Sequence, residues 1–213
     1  MKLVVSRGTV VPFESLPANS IALDGYVQGP RIDTKLQRYS FDHHAECVRH
    51  CTRATCEQVR DALVLGLEPR ELTVFVNDVD ADTALSVWLL ENPHRVNDMR
   101  VRAMVSLVGL IDAHGPAYQL SAVDDGLARW VFDGAMAPER DARRSRTYGT
   151  LDLDVLLRTC VERLDPNGYQ PTEREAVEFK ATHDGTGWVM ATSRQFIFSA
   201  LYERGVTRAI AYD

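Results

Sequence analysis

Residues 38–59 read RYSFDHHAECVRHCTRATCEQV. Tyr39, Ser40 and Phe41 form a strand pattern that runs straight into Asp42-His43-His44. A short polar loop follows, and Thr52-Arg53-Ala54-Thr55 opens an apolar-periodic helix expected over 52–67, capped by Thr52 or Thr55. An acid and two imidazoles in a row fill a core badly. They suit a metal or phosphate site, because ligands of open α/β sheets gather at the carboxyl ends of the strands.

The flanking segments supply the rest of such a sheet. Residues 1–6 and 20–23 read as short strands, the second ending at Asp24-Gly25. Residues 72–76, LTVFV, form a near-continuous apolar run of the kind that lies buried in a parallel sheet. They end in Asn77-Asp78-Val79-Asp80-Ala81-Asp82, after which a helix is expected over 83–90 until Pro93. Further helices are expected over 99–111, 123–136 and 151–164. Residues 138–146, PERDARRSR, are the most charged segment and read as a solvated linker. A hairpin is expected from 176–182 and 187–192 around Asp184-Gly185, then a helix over 193–203 and a strand over 206–212. The alternation predicts an α/β fold, a mostly parallel sheet flanked by helices, with a small C-terminal α+β segment. The expected division is a core of residues 1–137 and a second part of residues 138–213, linker included, which can pack on that core as one domain.

The chain has 213 residues, 45% hydrophobic and 25% charged, which is enough to bury a core without staples. Its formal net charge of −6 argues against a broad nucleic-acid-coating surface and leaves room for a local basic cleft. No apolar run approaches the roughly 20 residues of a membrane span. The expectation is therefore a cytoplasmic protein whose four cysteines stay reduced.

Two strand ends carry chemistry. Asp78, Asp80 and Asp82 crowd carboxylates that repel unless a cation or solvent compensates them, and the helix beginning beside them brings a positive dipole end. A solvated Asp-rich helix cap is the plainer reading. The Asp-His-His triplet mixes imidazole with carboxylate oxygen, a set that suits Mn²⁺, Zn²⁺ or Fe²⁺ better than Ca²⁺. Its plainer reading is a pair of surface histidines after an edge strand. Cys47, His50, Cys51 and Cys56 offer a third option, a zinc-stabilised interaction module.

Phe41-Asp42-His43-His44 followed by Thr52-Arg53-Ala54-Thr55-Cys56 resembles the third motif of the DHH phosphoesterase superfamily, which includes RecJ-like exonucleases and manganese pyrophosphatases. Ile21-Ala22-Leu23-Asp24-Gly25 is similar to its second motif, a strand ending in a lone Asp. Residues 77–86 are similar to its first motif, with Asn77 where the family has histidine, and Gly109-Leu110-Ile111-Asp112 to its fourth. The first-motif equivalent follows the triplet here, an order that looks like a circular permutation.

The resemblance covers residues 20–115 and implies a DHH-like core and a metal-activated water attacking a phosphate ester or phosphoanhydride. It implies Asp24, His43, Asp80, Asp82 and Asp112 as metal ligands, for one or two ions of Mn²⁺, with Mg²⁺ or Fe²⁺ as substitutes. Asp42 would orient His43, and His44 would touch the substrate. Arg53, Thr52, Thr55 and Asn77 would hold its phosphate. The implied partner is a phosphorylated small molecule or a short oligonucleotide, with no membrane, and a homodimer is compatible with the sequence. A non-catalytic relative that binds a nucleotide or phosphate is the alternative.

Overall fold

The structure is a computed structural model that describes residues 1–115, 122–169, 180–183 and 189–192. Five strands build its main sheet: β1 (Lys2–Val5), β2 (Ser20–Leu23), β3 (Arg31–Asp33), β4 (Arg38–Phe41) and β5 (Thr73–Val76). Their order is β1-β5-β2-β4-β3; all neighbours are parallel except β3, which runs antiparallel to β4 at the edge. Among the described residues the helices are α1 (Thr55–Val64), α2 (Ala81–Glu91), α3 (Met99–His114), α4 (Ala122–Arg129), α5 (Ala137–Arg144) and α6 (Leu153–Arg163). A π-helical turn, Trp130–Ala135, continues α4. The fold is α/β, as expected.

Strand alternation divides the sheet into two unlike faces. Ile21, Leu23, Val74 and Val76 point into the main core, which α1, α2, α3 and α6 complete. Ala22 and Phe75 point the other way, into a smaller cluster with Leu16, Tyr26 and Val27 from the segments around β2. Among the described residues, then, the helical layer covers one face and irregular chain covers the other. α2 is the central helix. It packs on α1, α3 and α6, and every residue from Ala81 to Leu90 is buried. That enclosure explains why its sequence is apolar nearly all round.

Several boundaries differ from expectation for identifiable reasons. α1 begins at Thr55, not at 52: its N-cap is Ala54, whose side chain makes no cap, and neither Thr52 nor Thr55 serves. Thr52 Oγ1 instead donates back to the Val48 carbonyl at 3.0 Å. β3, where the sequence raises no strand expectation, forms because its backbone pairs with the β4 edge. The charged segment 138–146 is no linker. Most of it is α5, opened by Pro138 and laced by an i,i+4 ion pair of Glu139 with Arg143. α5 and α6 pack with the core: Leu153, Leu156, Leu157 and Cys160 belong to the same apolar cluster as β2 and β5. β6 (Lys180–His183) and β7 (Val189–Thr192) pair antiparallel, as the expected hairpin does. The helix and strand expected over 193–203 and 206–212 lie outside the described residues.

Candidate metal centre

Parallel pairing puts three acidic strand ends side by side. Leu23 is in register with Phe41, and Ala22 with Phe75, so Asp24, Asp42 and the Asn77–Asp82 turn all leave the sheet at its carboxyl edge. Asp24 holds a left-handed backbone, φ 49°, that few residues other than glycine adopt. This turns the chain sharply after β2. Asp112 arrives from the last turn of α3. Gly109, one turn earlier, leaves room for the Glu57 side chain of α1: a Cβ there would stand 2.7 Å from its carboxyl.

His43 is the hub of the cluster, and it is fully buried. Its Nε2 lies 2.8 Å from Asp112 Oδ2, 3.6 Å from Asp82 Oδ2 and 3.7 Å from Asp24 Oδ1. Despite the 2.8 Å approach, His43 Nε2 and Asp112 Oδ2 do not meet in hydrogen-bonding geometry, and both stay buried without a hydrogen-bond partner. Two unpaired buried polar atoms aimed at one point cost free energy in the bare protein. Asp24 Oδ1 and Oδ2 accept from Thr55 Oγ1 and Thr83 Oγ1, each at 3.0 Å. Asp82 accepts from the backbone N–H groups of Thr55 and Cys56 at 2.8 and 2.7 Å, so the acid on α2 caps α1. Asp80 caps α2 through Thr83 N at 2.7 Å, and its charge acts on the Asp24 carboxyl.

The electrostatics are those of a cage short of positive charge. Burial, then the charges of Asp80, Asp82 and Asp112, drive the Asp24 carboxyl well above the usual carboxylate range. Burial also raises Asp80, and burial with Asp112 and Asp80 pushes Asp82 up to about 6. A divalent cation would displace those shared protons and remove the repulsion. The donor set, one or two imidazoles with three carboxylates, fits a divalent metal cation. Asp24 with His43 and His44, and His43 with Asp82 and Asp112, each bring three ligand atoms within 4.8 Å of one another.

Four expected roles are corrected. Asp42 does not orient His43. Its Oδ1 accepts from His44 Nδ1 at 2.8 Å and its Oδ2 from Gly29 N at 2.7 Å, because side chains two residues apart share a side as the chain leaves the strand. Burial alone would raise Asp42, but the hydrogen bonds from His44 and Gly29 outweigh it and hold the carboxyl down at about 2. Gly29 is required there: its φ is +76°, and a Cβ would lie 2.8 Å from the Glu46 carbonyl. Arg53 is not at the centre either. Its guanidinium pairs with Asp61 at 3.5 Å and reaches Glu57 at 3.9 Å, lining a groove of about 490 Å³ between α1 and α3. The N–H groups at the start of α1, expected to hold phosphate, are taken by Asp82, and Thr52 by Val48. Asn77 stands beside Gly25, but its Nδ2 donates to the Thr9 carbonyl at 3.0 Å.

Asp78, the first acid of its turn, points away from the cage. Tyr148 Oη donates to it, and Arg143 Nη2 donates to both of its oxygens at 3.3 Å and to the Val79 carbonyl at 3.2 Å. Arg143 also stacks on the Tyr148 ring, 4.1 Å from its centroid. α5 and the turn after it thus fasten the loop that presents Asp80. No local pattern announces this, since 65 to 70 residues separate the partners. Thr83 was recoverable from its position three residues after the N-cap Asp80; Arg49, which meets His43 Nδ1 at 2.6 Å, was not. Among the described residues no cysteine joins either ligand group: Cys56 is buried against α3, with Sγ 3.8 Å from the Val105 carbonyl.

Searches of protein-family models, of curated proteins and of solved structures found no match to this chain.

Proposed function

We propose that the protein is a divalent-cation-dependent phosphohydrolase of the DHH type, acting on a phosphate ester or phosphoanhydride. The observation that carries this is the convergence of Asp24, Asp82 and Asp112 on His43, with two buried ligand atoms, His43 Nε2 and Asp112 Oδ2, left without hydrogen-bond partners. The strand neighbourhood supports the resemblance. The three motif-bearing strands β5, β2 and β4 are adjacent and parallel, so their ends meet in whatever order the chain visits them.

Asp24, His43, Asp82 and Asp112 would hold the cation, with Asp80 beside Asp24. When bound, it would supply Lewis acidity to a phosphoryl oxygen and to water. The chain's own residues do the rest. Asp42 fixes the His44 ring through Nδ1, and His44, half exposed, is left able to donate to a phosphoryl or leaving oxygen. Thr55 and Thr83 lock Asp24, and the α1 backbone locks Asp82, so the cage is held before any ligand arrives. The substrate is a phosphorylated small molecule or a short oligonucleotide, and the cation is Mn²⁺, with Mg²⁺ or Fe²⁺ as substitutes.

The test is hydrolysis of pyrophosphate, a dinucleotide and p-nitrophenyl phosphate with Mn²⁺ present. Asp80→Ala and His43→Ala should each lower turnover by about 100-fold or more and reduce bound metal. Unchanged turnover and metal content in both would overturn the assignment. A second reading, a non-catalytic phosphate or nucleotide binder, draws on Asn77, which stands where the resembled family has a histidine and offers a cation only an amide oxygen, a weaker ligand than imidazole. Stoichiometric Mn²⁺ with phosphate binding and no turnover would select it.

A further inference from the structure

Arg49 sits on the exposed loop that follows the Asp-His-His triplet, yet it reaches back to the buried hub. Its Nη1 donates to the His43 carbonyl at 2.5 Å and lies 2.6 Å from His43 Nδ1. A guanidinium has donors only. His43 Nδ1 must therefore accept, which places the ring hydrogen of a neutral imidazole on Nε2, the atom facing Asp24, Asp82 and Asp112. That arrangement turns the ring hydrogen toward the acids, where it finds no hydrogen-bond partner. It does not suit a ligand. A histidine that gives Nε2 to a cation carries its hydrogen on Nδ1 and donates it outward. Arg49 where it stands and a cation on His43 Nε2 exclude each other, because two donors would then face each other at 2.6 Å.

From this we infer that Arg49 exchanges partners: it caps His43 while the cage is bare, and cation loading releases it to bind the phosphoryl group of an incoming anion. The release would place a fork of N–H donors beside half-exposed His44 at the moment the site becomes competent for an anion. Cation and anion would then bind in obligatory order, and a bare site would show little affinity for phosphate. The inference rests on the cation site proposed above and adds a residue and a coupling to it.

The test uses the full chain, titrated first with Mn²⁺ alone and then with inorganic phosphate, in the native sequence and in Arg49→Ala and Arg49→Gln. Arg49 is exposed, so neither change opens the core. Both variants should bind Mn²⁺ more tightly, by about tenfold, the factor for removing one competing hydrogen bond to a charged group. Both should bind phosphate more weakly by a similar factor when Mn²⁺ is present, with no difference when it is absent. Variants that bind Mn²⁺ no more tightly than the native chain overturn the exchange, and so does phosphate affinity that is unchanged in the loaded variants. If the native chain binds no Mn²⁺ at all, the underlying site fails first, and the two failures are told apart by that single titration.

Discussion

Asp82 and Asp112 both face His43, but they are held in opposite ways. Asp82 is fully buried and satisfies two backbone donors at the start of α1. Asp112 is partly open, and its Oδ2 is unpaired. Removing them should therefore separate stability from ligation. Asp82→Ala strands Thr55 N and Cys56 N, and urea unfolding of the metal-free protein should show a loss of about 2–3 kcal/mol. Asp112→Asn removes a like charge that helps push Asp24 and Asp82 upward, so the metal-free protein should be as stable as the native chain or slightly more so. Both variants should lose Mn²⁺-induced stabilisation. If Asp112→Asn unfolds as readily as Asp82→Ala, the cage is a structural network and not a ligand set. The resemblance, and not spacing, singles out Asp24, His43, Asp82 and Asp112, which the fold brings into two neighbouring groups. Their partners were not legible: that Asp42 serves His44, and Arg49 serves His43, depends on which way side chains leave β4, and no motif states that.

α5 shows why charge patterning misleads at the level of an element. PERDARRSR looks solvated because only Ala142 of α5 is buried, and one small residue makes no visible periodicity. The helix is held instead by the Glu139–Arg143 pair and by the clamp that Arg143 and Tyr148 close on Asp78. The clamp touches no ligand and acts through the loop that carries Asp80. Tyr148→Phe deletes the donor to Asp78 and the acceptor, at 3.0 Å, for Val79 N. It should cost about 1 kcal/mol of stability and weaken Mn²⁺ binding by about 10-fold, as loss of an outer support to a metal ligand does. Arg143→Lys keeps the charge but not the fork or the stacking, and should fall between Tyr148→Phe and the native chain. Calorimetric titration with Mn²⁺ reads both. Equal affinity in all three proteins would reduce the clamp to a surface decoration. β5 was legible in the sequence for the converse reason: Leu72 to Val76 is a near-continuous apolar run with a clear stop at Asn77-Asp78. The boundary of α1 is set by a partner distant in the chain, the Asp82 carboxylate, and β3 is set by pairing with β4 at the sheet edge.

For the molecule as a whole, the cage sets the pH dependence of folding. Three of its carboxyls sit above their unfolded value near 3.8, with Asp82 at about 6. A raised carboxyl binds its proton more tightly in the folded chain than in the unfolded one. Its contribution is intact below the unfolded value and is lost as pH climbs through the folded value. Asp42 has the opposite sign: held at about 2, its contribution is fully present above the unfolded value near 3.8 and is lost as pH falls toward 2, so it adds no slope between pH 5 and 7.5. Glu57, Glu91 and Glu139, all raised by burial, pull with the cage. So does His44, which its bond to Asp42 holds above the usual imidazole range; its contribution persists until pH passes that raised value. The metal-free protein should therefore be more stable at pH 5 than at pH 7.5, Asp82 alone accounting for on the order of 1 kcal/mol over that interval. A cation reverses the slope, because it binds the ionised cage and competes with the protons. At about 100 times its dissociation constant, Mn²⁺ should add about 2.7 kcal/mol at pH 7.5 and much less at pH 5. Urea midpoints of chelator-treated and Mn²⁺-loaded protein at the two pH values measure all four corners. A metal-free protein that is more stable at pH 7.5 than at pH 5 would mean that these carboxyls are already compensated inside the chain. The case for a cation would then lose its electrostatic ground, and only the orphaned atoms of His43 and Asp112 would be left to argue it.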